Sequence, residues 1–324
     1  MATHESGDGA TSGNALIGVA NSDRHDLTLL MSYRFLRCGI VAAAVTLVVS
    51  VVFEIVQTGC VRNSISVYFY SPVRTIFTGS LMAVGLCLVI LQGDNDIEEV
   101  SLNLAGLFAP MVAVVPTGLS TVCDARFANL SDPERNTLVA GIEAATRDGL
   151  QNNLVAYFGV VLVALVLLLV FPRQFVRDGT RLIWMRVAVV GYIVVVAAFA
   201  VSAWRVSSGE QSWAHNLAAI LMFVAFGVVV AHNGWFRGHV PGWYQNACRA
   251  IVVAMVGAVL VFFWMRSQDV SWALFALEAA ELVLFATFWL VQTIVFWQRD
   301  VITGDHLDVA SAGDPSPAPT AATG

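Results

Sequence analysis

The sequence predicts an all-α, polytopic transmembrane helix bundle of about eight transmembrane helices, and three observations carry that expectation. The 324-residue chain is 57% hydrophobic and only 12% charged, about half the ~25% charged fraction of a soluble domain. Its mean hydropathy of +0.73 reflects apolar runs repeated along the chain rather than one greasy segment. Those runs are continuous and lack the period-two alternation of a membrane β-barrel.

A bilayer core of about 30 Å takes about 20 apolar residues per helix. Eight runs meet this, at 37–57, 75–92, 101–118, 153–172, 183–204, 212–231, 246–265 and 272–296. Asn103, Pro110 and Pro116 interrupt the third. Membrane helices tolerate such breaks where neighbours satisfy the freed backbone groups; seven helices plus a re-entrant segment is the alternative. Between the third and fourth runs, Ser131-Asp132-Pro133-Glu134 reads as a capping box, with Pro133 in the first turn. Leu138, Ile142 and Ala145 then share a face opposite Arg135, Glu143 and Arg147. This predicts an amphipathic surface helix over 132–148, either packing its loop or lying over a pocket as a lid.

Residues 31–299 therefore form a single integral membrane domain. Residues 1–30 and 300–324 read as disordered tails rich in Gly, Ser, Ala, Asp or Pro. The first 30 residues lack the charged start and apolar core of a cleavable signal, so the first helix is expected to direct insertion.

Arginine asymmetry sets the expected orientation. With the N-terminus inside, ten arginines face the cytoplasm and seven face out, with clusters at 34–37 and 173–186 tight against helix ends. Both termini are thus expected in the cytoplasm. All 17 basic residues are Arg, a bias that suggests a bacterial source and hence the inner (plasma) membrane. There is no basic stripe with interleaved aromatics, so nucleic-acid binding has no support.

Of the five cysteines, only Cys60 and Cys123 fall in outer loops, which predicts a disulfide or else two unpaired small side chains. No Cys or His spacing matches a metal site, and nothing calls for a cofactor.

Ionisable residues at membrane depth are costly and mark candidate sites. Here they are Glu54, Arg74, Arg205, His215, Glu278 and Glu281, all in the expected outer half. Glu278 and Glu281 share one helix face. Two such carboxylates in low dielectric need a counter-charge, and Arg74 is the expected partner, with Arg205 behind it. Tyr68 and Tyr70 lie in "SISVYFYSPVRTIF" (64–77), read as an outer re-entry turn at head-group depth. The alternative role for this cluster is an ion-pair lock on helix packing. The acidic "QGDNDIEE" loop (92–99) reads as a solvated charge run.

The stretches "SISVYFYSPVRTIFTGSLMAVGLCLVI" and "NLAGLFAPMVAVVPT" resemble the polar turn and following helices of uncharacterised bacterial membrane proteins of the Frag/DRAM/Sfk-like group. The resemblance spans about residues 50–118 and implies a membrane protein of undefined activity. The aromatic-rich early turn is also similar to ceramidase-like hydrolases, but their zinc-binding histidines are missing, so no hydrolase activity carries over. Three functions fit. The first is binding or transport of a lipid head group or small solute at an outward-facing polar site, with membrane lipid as the ever-present partner. The second is an intramembrane enzyme acting on lipid through the carboxylate pair. The third is a structural or accessory subunit of a membrane complex.

Overall fold

The computed structural model describes residues 9–170, 193, 197, 211–238 and 240–311. In chain order it has α1 (Gly9–Thr58), a 3-10 turn η1 (Ser66–Tyr70), α2 (Arg74–Ile90) and α3 (Asp96–Val114). A second 3-10 turn η2 (Ala125–Phe127), α4 (Asp132–Val170), α5 (Gln211–Trp235), α6 (Gly242–Ser267) and α7 (Ala273–Ser311) follow. The described residues contain no strand. Six segments are long and apolar enough to cross a membrane: Met31–Thr58, Asp96–Val114, Asp132–Leu167, Ala214–Trp235, Gly242–Ser267 and Ala273–Trp297. Helix α2 is apolar but, at 17 residues, shorter. The expected span at 183–204 lies outside the described residues.

The bundle turns its apolar side chains outward as well as inward. Phe53, Val160, Leu260, Phe263 and Leu290 stay exposed, over a larger apolar surface than a protein facing water presents. Such a surface, with six helices long and apolar enough to cross a membrane, is compatible with a multi-pass membrane protein.

Two apolar clusters stack along the bundle. One gathers Leu47, Val51, Tyr68, Phe77, Val112, Leu154 and Ala218. The other gathers Ile40, Leu88, Leu102, Val230, Tyr244 and Trp289. Helix α3 is the most buried of the spans and packs between α2 and α5, while α1 lies against α2 and α7. Arg34 donates to the Trp297 carbonyl at 3.4 Å, so the start of the α1 span and the end of the α7 span lie at the same end of the bundle.

Helix α3 runs straight through Pro110 and stops at Val114, leaving Pro116 outside it. Proline cannot donate to the carbonyl four residues back, which here belongs to Gly106. That carbonyl faces Gly85 of α2, where a Cβ would lie 2.8 Å from it and 2.6 Å from the Pro110 ring. Glycine at 85 lets the helices close over the break, as small residues do in membrane interfaces.

The expected surface helix and fourth span are one uninterrupted helix, Asp132–Val170. A lone Gly149 between them costs about 1 kcal/mol, too little to break a helix with no proline nearby. At its start, Ser131 N and Oγ both donate to the Glu134 carboxylate, at 2.9 and 2.6 Å. The glutamate half of the capping box forms as predicted; the serine hydroxyl donates to Glu134 in place of capping the backbone.

Candidate functional site

One end of the bundle is built around a covalent cross-link. Helix α1 stops at Gly59, whose φ of +65° lets its N–H close back on the Ile55 carbonyl at 2.8 Å. The next residue, Cys60, is bonded to Cys123 with their Cα atoms 5.8 Å apart. The predicted pairing is present, and we call this the disulfide end.

Downstream of Cys123, Asp124 caps η2 by accepting from Arg126 N at 3.0 Å. The Arg126 side chain grips the same carboxylate, its Nε at 2.9 and 3.1 Å from the two oxygens. Burial works against ionising the Asp124 carboxyl, but the Arg126 guanidinium and backbone N–H outweigh it and hold the carboxyl below its ordinary range. Arg126 Nη2 also donates to the Tyr70 carbonyl at 3.1 Å, and Tyr70 Oη donates to the Thr117 carbonyl at 2.8 Å. Burial pushes the Tyr70 phenol up to about 12, so it stays a neutral donor. The 117–126 stretch is thereby fastened to η1 at two points, through Thr117 and Arg126.

Between these walls lies a polar pocket of about 1070 Å³. Glu54 and Gln57 of α1, the disulfide, Arg62, Tyr70, Asp124, Arg126 and Arg135 line it. Of the residues singled out from sequence, Glu54, Tyr70, Cys60 and Cys123 meet here. The three arginines were not foreseen as a group, because 62, 126 and 135 belong to different loops and a helix start. Only the disulfide hinted that these stretches adjoin.

The "SISVYFY" stretch forms a 3-10 helix rather than extended chain, closed by Tyr68 N–Ile65 O and Ser71 N–Tyr68 O bonds of 3.0 Å each. Tyr68 is fully buried, and its hydroxyl accepts from Arg62 N at 3.3 Å. Glu278 of α7 sits at the turn's start. Its carboxylate accepts from Ser64 Oγ (2.7 and 3.0 Å), Ser66 Oγ (3.0 Å), Ser66 N (3.4 Å) and Ile65 N. Phe275 N donates to the Asn63 carbonyl at 3.0 Å, one turn earlier on α7.

This cradle replaces the expected Arg74 counter-charge. Arg74 is exposed, with its guanidinium 4.4 Å above the Phe69 ring, and forms no ion pair with Glu278. Neutral donors do the work because the turn delivers four of them to one carboxylate, whereas Arg74 at the start of α2 turns outward.

Ile65, Ser66 and Glu278 also cap an apolar cavity of about 90 Å³, lined further in by Leu47, Phe77, Phe226 and Phe285. Two other predicted residues are buried nearby. His215 places Nδ1 2.7 Å from the Val115 carbonyl and leaves Nε2 without a partner. Glu281 is 5% exposed and its Oε2 is unpartnered. Neither lines the polar pocket. Arg205 lies outside the described residues. No group of three metal-binding side chains occurs among the described residues.

The opposite end holds a polar network that sequence reading missed. Asn95 caps α3 by accepting from Ile97 N and Glu98 N at 3.0 and 3.1 Å. This turns Glu98 inward, where it is 3% exposed and accepts from Asn233 Nδ2 at 2.9 Å. Arg237 Nη1 lies 3.6 Å from Glu98 and donates to Asn233 Oδ1 at 2.6 Å; Arg237 also pairs with Asp94. Tyr244 Oη closes the set on Asn233 Oδ1 at 2.9 Å. The 92–99 run is therefore a built cap with a buried acid, not a solvated face. The available signal was the four-residue spacing of Asn233 and Arg237, one helix face at a helix end.

No protein-family model, curated protein or solved structure matches the chain.

Proposed function

We propose that the protein binds a lipid head group or small solute in the pocket at the disulfide end, for transfer across or along the membrane. The pocket itself carries this reading: about 1070 Å³ of space walled by Glu54, Gln57, Asp124 and three arginines, beside an apolar bundle. A segment fastened by a disulfide and by the Asp124–Arg126–Tyr70 contacts holds it open. Disulfides persist in oxidising compartments, so we place this end outside a bacterial inner membrane. Both termini are then cytoplasmic, and the arginine-rich Arg34–Arg237 end faces the cytoplasm, in keeping with the positive-inside rule. We keep the count of eight crossings that the sequence predicts.

The test is native mass spectrometry of the full chain released from micelles after exposure to a polar lipid extract. Ala128, exposed on the pocket wall, is replaced in an Ala128→Trp variant that projects an indole into the space. A 1:1 adduct on the unaltered protein that disappears in the variant supports binding there. Identical spectra for the two proteins overturn it.

A further inference from the structure

We propose that the disulfide-end pocket is a phosphodiester site gripped by Arg62 and Arg135; this rests on the reading of the pocket as a binding site. Arg62 is only 5% exposed, yet its Nη1 is buried without a hydrogen-bond partner. Its guanidinium carbon lies 5.5 Å from the Tyr68 ring centroid, a cation–π contact that holds the head group beside the ring. Arg62 forms no ion pair among the described residues; the acid it faces, Asp124, is claimed by Arg126. A buried guanidinium with an idle donor is expensive unless something supplies an acceptor.

The second grip is Arg135 Nε, also buried and unpartnered. Its Nη1 makes only a long contact of 3.9 Å with the exposed Asp132. Arg62 and Arg135 both line the same pocket, with the idle nitrogens themselves covered just behind its wall. Arginine's planar fork matches the two free oxygens of a phosphodiester.

Charge balance narrows the class. The wall carries Arg62, Arg126 and Arg135 against Glu54 and Asp124. Once Asp124 and Arg126 cancel, Arg62 and Arg135 face Glu54 alone among the lining residues, with the solvent-exposed Asp132 outside the lining and 3.9 Å from Arg135. One excess positive charge suits a monoanion, and Glu54 disfavours a dianion such as a phosphate monoester. A phosphodiester is the monoanion that phospholipid head groups and soluble glycerophosphodiesters share.

The experiment measures binding of three probes to the full-length protein in micelles by calorimetry. They are dihexanoyl phosphatidylglycerol, diethyl phosphate and the uncharged dihexanoylglycerol. We expect the phospholipid to bind, and Arg62→Lys, which keeps the charge but loses the fork, to weaken it at least about tenfold. Arg135→Gln, at a partly exposed position, should weaken it about fivefold or more. Each variant is compared at an unchanged unfolding midpoint, and Arg135→Gln carries the test if Arg62→Lys fails to fold. Binding of diethyl phosphate as well assigns a soluble source; binding of the phospholipid alone assigns a lipid. Equal affinity for the uncharged dihexanoylglycerol, blocked by Ala128→Trp, overturns the phosphodiester site while the pocket reading survives. Absence of binding by all three probes, or by the phospholipid in a manner insensitive to both arginines, overturns the proposal outright.

Discussion

Replacing Glu278 by Ala tests whether the carboxylate is a structural latch or a free functional acid. Its carboxylate accepts three short hydrogen bonds, from the Ser64 and Ser66 hydroxyls and Ile65 N, and a longer one from Ser66 N. A hydrogen bond contributes about 0.5–1.5 kcal/mol net, and a buried donor left without one costs about 1–3 kcal/mol. The two hydroxyls can rotate to other acceptors after truncation, but Ile65 N–H cannot move without unwinding η1. Ser64 Oγ already accepts from Ser66 N at 3.0 Å, so part of the turn survives. One stranded backbone donor plus two weakened hydroxyl bonds amounts to a loss of about 3–5 kcal/mol. Glu278→Gln keeps one acceptor oxygen and should cost about half as much. The assay is equilibrium unfolding in mixed micelles, followed by tryptophan fluorescence. A Glu278→Ala, Ser64→Ala double-mutant cycle should return a coupling of about 1–2 kcal/mol. A Glu278→Ala protein within about 0.5 kcal/mol of the parent, or a cycle with no coupling, would refute the latch.

Three further outcomes follow from the geometry. Gly85→Ala pushes a methyl to 2.6 Å from the Pro110 ring; overpacking of this kind costs about 1–3 kcal/mol and should lower the thermal midpoint, while Gly79→Ala on the same helix, with open space around it, should not. Breaking the buried Glu98–Arg237 contact by Glu98→Ala should cost about 3–5 kcal/mol, and the double variant with Arg237→Ala should lose less than the sum of the two singles in the same unfolding assay. The Asp124 carboxyl, held below its ordinary value of 3.8 by Arg126, contributes stability above that pH and loses it as the pH falls toward the lower folded value. The midpoint gap between the parent and Asp124→Asn should therefore be full well above 3.8 and narrow as the pH falls below it; a gap that does not narrow contradicts the pairing.

The helical membrane class was legible because it depends on composition and run length, which need no partner. The predicted spans at 37–57, 101–118, 212–231, 246–265 and 272–296 each lie largely within a described membrane-length helix, since about 20 apolar residues can satisfy their backbone only by coiling. The Cys60–Cys123 pairing was legible once the loops were assigned to one side. Boundaries were less so: one glycine among polar residues looked like a break at 149, and the helix continues through it.

What sequence could not supply was the partner of each charge. Glu278 and Arg74 are close in any list of polar residues, and opposite charge made them an obvious pair. Which acceptor a carboxylate finds depends on where backbone N–H groups point, and that follows from a 3-10 turn whose geometry is set by contacts with α7. Glu98 shows the same limit from the other side, since the Asn95 cap decided that it faced inward. Composition and periodicity determine that this chain folds as long apolar helices and roughly where they start and stop. Tertiary packing decides which buried charges are neutralised and which, like Arg62, are left with a donor to spare, because hydrogen bonding is a matter of ångströms and angles between segments far apart in the chain.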